Sequence, residues 1–144
     1  MSVLESFTEF SAAVRLDFIS EEERQFLGLH LMDTMGAAIA GSHTPTGQAL
    51  RELQDGAPGG LAVSQPGTID DISRRCGTVR HTEVDDIHTG SNVTPSSMIV
   101  PTALTMGARL GVQDPQVLGG ALIAGYEAIL RLGMLIDGPV VMYK

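Results

Sequence analysis

Asp114-Pro115-Gln116-Val117-Leu118-Gly119-Gly120-Ala121-Leu122-Ile123-Ala124-Gly125-Tyr126-Glu127-Ala128-Ile129-Leu130-Arg131 is the stretch on which the fold turns. Asp114 followed by Pro115 reads as an N-cap and first helical residue, because proline lacks only an N–H that the first turn leaves unbonded anyway. From Pro115 to about Ile136 the run is apolar nearly all round, which predicts a buried central helix. Gly119, Gly120, Ala121, Ala124, Gly125 and Ala128 let neighbouring backbones come close. Roughly twenty such residues could also cross a bilayer. Glu127 and Arg131 argue against that reading. Spaced i, i+4 with the acid first, they form a favourable helical ion pair, and charges in mid-span are costly in lipid. The pair is expected to be largely buried and structural.

Outward from this helix the chain reads as more helices. Met98 to Leu110 has helical patterning. Pro101 is tolerated only in a first turn, which sets the start near Ser96 or Ser97, and Gly111 closes the helix. Upstream, Thr68 leads into a helix from Ile69 to Val79, with Arg74, Arg75 and Arg80 towards its C-terminal end, where cations suit the dipole. Thr44-Pro45 opens a short helix through Leu53. Asp55 to Gly60 is a loop by composition, and Leu61-Ala62-Val63 is too short to assign as a strand. Ser20 with Glu23 makes a capping box for a helix running to about Ala40 and stopping at Gly41. Phe26, Leu27, Leu31, Met35 and Ile39 fall on or near one stripe of it, and Asp33 reads as an exposed residue or a local cap. Leu4, Phe7, Phe10, Ala13 and Val14 mark a first amphipathic helix over 4–16. The expected architecture is one all-α domain over residues 1–144, with about five to seven packed helices around a buried Gly/Ala-rich central one.

Composition narrows the classes of function. A net charge of −8 with no basic stripe disfavours nucleic acid, and it disfavours anionic membrane surfaces as well. The single cysteine, Cys76, allows no intrachain disulfide and reads as a half-buried structural thiol. The first residues lack the basic and apolar regions of a signal peptide, so a cytoplasmic location is expected. With 17 glycines and no tryptophan, the core must pack by close backbone approach and aliphatic fill.

Between the helices ending near Val79 and beginning near Ser96 lies His81-Thr82-Glu83-Val84-Asp85-Asp86-Ile87-His88-Thr89-Gly90. Three carboxylates and two histidines on a loop held by helices suit acid–base chemistry; such a cluster also suits a solvated acidic loop. Adjacent aspartates define no metal geometry, and no His-x-x-x-His or paired cysteines support them, so no metal is expected.

Four segments taken together resemble the MmgE/PrpD family. Leu31-Met32-Asp33-Thr34-Met35-Gly36-Ala37-Ala38-Ile39-Ala40-Gly41 resembles its early helix, and Glu83-Val84-Asp85-Asp86 its Asp-Phe-Asp-Asp loop. Thr94-Pro95-Ser96 looks like its His-Pro-Ser turn, and Ala124-Gly125-Tyr126-Glu127 through Arg131 its Gly-Tyr-Glu…Arg helix. The resemblance implies a helical domain of enzymes such as 2-methylcitrate dehydratase and cis-aconitate decarboxylase. These transfer a proton at a carbon next to a carboxylate and need no metal or organic cofactor. Family members are considerably longer, continue into an α/β domain and commonly form homodimers. Here Glu83 stands for the usual Asp, Ile87 for a common Thr, and Thr94 for the turn histidine. The chain also ends before the family's later histidine and lysines.

On this reading Asp85, Asp86 and His88 are the catalytic candidates, with Glu83, His81, Thr94 and Ser96 on the substrate side. Asp86 could instead cap the next helix and leave Asp85 to react. Asp33, Tyr126, Glu127 and Arg131 are assigned to structure. Two classes of function follow: part of a polycarboxylate lyase or isomerase, as a split subunit or a fragment whose site another chain completes, or a non-catalytic helical assembly module, a truncated or diverged remnant of such an enzyme. The expected partner is a second copy in a homo-oligomer or a larger complementary subunit.

Overall fold

A computed structural model describes residues 2–52 and 68–135. The readings made for Leu53, Asp55–Gly60, Leu61–Val63 and the end of the last helix at Ile136 lie outside the described residues. The described chain forms α1 (Val3–Ala13), a 3₁₀ turn (Leu16–Phe18), α2 (Glu21–Ser42), α3 (Pro45–Glu52), α4 (Ile69–Arg80), α5 (Ser96–Leu110) and α6 (Pro115–Leu135). It is an all-α domain, with six α-helices and no strand among the described residues.

The helix starts follow from local chemistry. Ser20 accepts from the Glu23 N–H while the Glu23 carboxylate accepts from the Ser20 N–H at 2.7 Å. Ser2 and Glu5 repeat the same box on α1. Thr44 and Thr68 cap α3 and α4 by accepting from the N–H groups of Gly47 and Asp71, and Asp114 caps α6 through Gln116. Gly111 ends α5 at φ +67°, a left-handed conformation that suits a residue without Cβ.

Helix α2 packs on α3, α4 and α5; α4 packs on α5 and α5 on α6; α6 returns to α1 and the 3₁₀ turn. These contacts are close because glycine lies at the crossings. A Cβ on Gly41 would sit 1.9 Å from the Thr78 carbonyl oxygen, and one on Gly120 would sit 2.4 Å from that of Val14. The core is correspondingly fine-grained: Val14, Ala37, Val79, Val100, Leu122 and Ala124, with Thr34, Asp71, Ser96 and Ser97 buried among them.

Several expectations change at this level. Helix α2 runs through Gly41 to a C-cap at His43, because Gly41 serves the α2–α4 crossing instead of ending the helix. The buried face of α2 is Thr34, Ala37 and Gly41, whereas Phe26, Met35 and Ile39 are exposed. Pro101 lies in the second turn of α5, not the first, and is buried. Arg74 and Arg75 serve the buried Asp71 carboxylate as well as the helix end.

Helix α6 buries its small-residue face (Gly119, Gly120, Ala124, Gly133) together with Leu122, but leaves Val117, Leu132, Met134 and Leu135 exposed. Among the described residues it is the helix long and apolar enough to cross a membrane, a property that core helices share. The Glu127–Arg131 pair forms, with 2.6 Å between Nη2 and Oε2, yet the two side chains are 38% and 62% exposed. The expected buried pair is therefore a surface pair. Glu127 lines a groove against α2, and Arg131 lies beside Ser6, Phe7 and Phe10 of α1, so the pair is flanked by neighbouring helices without being closed over.

Candidate functional site

The acidic loop is held at both ends and in its middle. At its start the His81 ring reaches Thr44 Oγ1 through Nε2 at 2.6 Å, and the Gly77 and Thr78 carbonyls through Nδ1 at 3.1 Å. In its middle the His88 N–H donates to the Val93 carbonyl at 2.9 Å, and the Ser91 N–H donates to His88 Nδ1 at 3.1 Å. An N–H donated into Nδ1 leaves the ring proton on Nε2. Glu83 and Asn92 adopt positive φ of 55° and 53°, the two places where the loop reverses. Ser91 then rests on the α6 backbone: a Cβ on Gly133 would lie 2.7 Å from that of Ser91.

The two adjacent aspartates part company. Asp85 turns inward; its side chain is 1% exposed and Oδ1 meets Arg80 Nη1 at 3.3 Å. Its Oδ2 is buried with no partner among the described residues. Asp86 faces the helices. Its Oδ1 accepts the Ser96 N–H at 2.9 Å, taking the N-cap position of α5 that Pro95 has no side-chain oxygen to fill. Its Oδ2 lies 3.3 Å from Nδ1 of His30, which α2 supplies.

Around Asp86 gather groups that sequence reasoning leaves out or assigns to structure. The His30 ring lies 5.7 Å from that of Tyr126 on α6. The Tyr126 hydroxyl shares a hydrogen bond with Ser96 Oγ. Burial, with smaller contributions from the negative charges of Asp86 and Asp33, pushes the Tyr126 phenol up to about 12, against the lowering effect of the Ser96 bond. A groove of about 380 Å³ between α2 and α6 is lined by Ile19, Phe26, Leu27, Ile123 and Leu130, together with His30, Tyr126 and the carboxylates Glu23 and Glu127. Imidazole and phenol thus line one groove, with the Asp86 carboxylate against the imidazole, an arrangement able to move a proton to or from a bound molecule. No motif marks His30; only the α2–loop contact brings it to Asp86.

The remaining predicted residues are dispersed. His81 is bonded into the α2–α3 and α4 junction. Glu83 is exposed beside Arg80 at 3.6 Å. Thr94 accepts from the Ser97 hydroxyl, and Ser96 is fully buried. Among Asp85, Asp86, His88, Glu83, His81, Thr94 and Ser96, only Asp86 and Ser96 belong to the groove cluster. Cys76 is half-buried beside the Met98 carbonyl and Thr102, and burial raises its thiol pKa. No group of three or more His, Cys, Asp or Glu suited to a metal ion occurs among the described residues.

An all-helical domain with an acid–base cluster between its helices is the class these features define. The model of the MmgE/PrpD N-terminal domain matches residues 5–140, and the chain belongs to that family. No curated protein and no solved structure gives a match.

Proposed function

We propose that this chain contributes the acid–base half of a lyase or isomerase that acts on a polycarboxylate by proton transfer at a carbon next to a carboxylate. The observation that carries this reading is the contact of Asp86 with His30, beside Tyr126 and Ser96, on the groove between α2 and α6. His30 stands in for the imidazole that Thr94 lacks. Asp86 orients His30 through Nδ1, leaving Nε2 to exchange a proton, while the Tyr126 phenol, kept neutral, serves as a donor. Asp85, buried against Arg80, supports the loop.

Substrate carboxylates call for cations, and those near the loop are engaged. Arg80 faces Asp85 and Glu83, and Arg131 faces Glu127. The cationic half of the site is therefore supplied from outside the described residues, by further polypeptide or by a larger partner chain. No metal or organic cofactor enters the reading.

The test is purification from the native host with any associated subunit, assayed against di- and tricarboxylates. Turnover that falls about 10²–10⁴-fold, the usual weight of a general acid or base, in both His30→Ala and Asp86→Asn supports the reading. The amide oxygen introduced by Asp86→Asn would still accept from the Ser96 N–H, so the second variant separates charge from capping. Turnover unaffected by either variant refutes this assignment of roles.

A second reading, a non-catalytic helical module, is favoured by one observation: most polar groups of the loop already have a structural partner. Absence of turnover in every preparation, with a stable oligomer, would make it the better account.

A further inference from the structure

A pocket of about 140 Å³ opens where α2, α3 and α4 meet, lined in part by Ser42, Arg51, Asp71, Arg74, Arg75 and Thr78. Local spacing brings its charges together. Gly47 lets α3 lie directly on the end of α2, since a Cβ on it would sit 2.0 Å from the Gly41 carbonyl oxygen. Arg51 follows one turn later on the same face, and its Nη2 donates to the Ser42 carbonyl at 3.1 Å. On α4, Asp71, Arg74, Arg75 and Thr78 recur at helical spacing. The Asp71 side chain is 2% exposed, and its Oδ1 accepts from Arg75 Nε at 3.0 Å and Arg74 Nη2 at 3.4 Å.

Three of the nine basic residues of a chain that carries −8 thus line one small space. Against them the lining offers one carboxylate, which leaves an excess of two positive charges. The neighbouring Glu52 and Asp70 are exposed and line no part of it. Guanidinium groups crowded into a partly desolvated space repel one another, and an anion among them relieves that repulsion. Arg51 and Arg75 each make one of these bonds among the described residues, so most of the five N–H groups of each can take an anion. Ser42 and Thr78 add no donor, because their hydroxyls donate to the Ile39 and Arg74 carbonyls of their own helices.

We propose that this pocket binds a small, doubly charged oxyanion of the phosphate type, with Arg51 and Arg75 as its principal donors. Two excess charges match a dianion. Donors arriving from two helices suit an ion whose oxygens point in several directions, whereas a carboxylate offers two oxygens in one plane. The volume is below that of sites for drug-sized ligands, so inorganic phosphate or the phosphate group of a small ester is the size of occupant it admits. Ser42 lies twelve positions after His30 on α2, roughly 18 Å along the axis at ~1.5 Å per residue. Anion binding here therefore stands apart from the catalytic reading of the groove. A bound anion ties α2, α3 and α4 together and stabilises the fold by mass action.

The test melts the full chain in sodium phosphate, with sodium chloride and sodium acetate of equal ionic strength as controls, and measures phosphate binding by titration calorimetry. Inorganic phosphate at a hundredfold excess over its Kd is expected to raise Tm by roughly 5–10 °C above both controls. Arg51→Gln and Arg75→Gln, both at exposed positions, should each weaken phosphate binding about tenfold or more while the helical circular dichroism spectrum is unchanged. Arg109→Gln, which removes the same charge elsewhere, should bind as the parent does. Glycerol 2-phosphate separates the sources: tighter binding than inorganic phosphate assigns the pocket to a phosphomonoester, weaker binding to the free ion. A rise in Tm that chloride or acetate matches overturns the proposal. So does the absence of saturable phosphate binding, or an affinity that Arg51→Gln and Arg75→Gln both leave intact.

Discussion

Gly41→Ala tests the packing logic most directly, because it adds one methyl group where α2 crosses α4. The new Cβ would lie 1.9 Å from the Thr78 carbonyl oxygen, 3.0 Å from its carbon and 3.1 Å from His81 Cε1. A backbone carbonyl cannot rotate away as a side chain can, so the helices must separate by about 1 Å to reach ordinary contact. Overpacking of this kind costs about 1–3 kcal/mol, and a backbone clash belongs at the upper end. Separation also strains the 2.6 Å contact of His81 with Thr44, worth about 0.5–1.5 kcal/mol. Against this, alanine gains about 1 kcal/mol of helix propensity over glycine. The net expectation is a loss of about 2–3 kcal/mol, or roughly 6–12 °C in Tm for a domain of this size. Gly77→Ala in α4 is the control. Its Cβ would meet only Leu50 Cδ1 at an ordinary 3.5 Å, so the propensity gain should survive and stabilise by up to about 1 kcal/mol. Urea unfolding of the three proteins, followed by circular dichroism, measures both. If Gly41→Ala proves as stable as the parent, or if both variants shift the same way, the close crossing of α2 on α4 is wrong.

Glu127→Gln should lower stability by less than about 1 kcal/mol, as for other exposed pairs, and added salt should shrink the difference further; a larger loss by urea titration would mean the pair is covered in solution. Arg80→Met leaves the buried Asp85 carboxylate without its partner and should cost on the order of 3 kcal/mol, a drop that thermal melting would read. Asp86→Ala removes the α5 cap and should destabilise by about 0.5–2 kcal/mol, with Asp86→Asn much closer to the parent in the same urea titration. Tyr126 ionises near 12 in the folded chain and about 10 when unfolded. Its contribution to stability is therefore full below pH ~10 and is lost as pH rises towards ~12; phenolate absorbance in a Tyr143→Phe background should show no ionisation near pH 10 while the chain stays folded.

The groove cluster is only half legible in the sequence. Asp86 stands out because it lies in a dense run of carboxylates, and its capping of α5 can be weighed because the partner is only ten positions on. His30 cannot be found that way. It sits in an ordinary helical pattern, and its role depends on where α2 lies against a loop more than fifty positions later. Tyr126 reads as structural in the sequence, because the hydroxyl of Ser96 and the charge of Asp86 reach it only through folding.

What the sequence determined by itself was every feature governed by neighbours a few residues apart. The capping box of Ser20 and Glu23, the Thr44-Pro45 and Asp114-Pro115 starts, the Gly111 stop and the all-helical class are such features. Their hydrogen bonds close within one or two turns, so the residues that make them are adjacent in the chain. Tertiary structure decided which face of each helix is inside. The apolar stripe read on α2 faces largely outward, because Thr34, Ala37 and Gly41 allow α4 and α5 to approach more closely than large side chains would. The Glu127–Arg131 pair forms as its spacing demands, yet stays partly exposed, because α2 and α1 flank it across open grooves instead of closing over it. Periodicity places residues on a common face; the side that turns inward depends on how closely distant backbones can pack there.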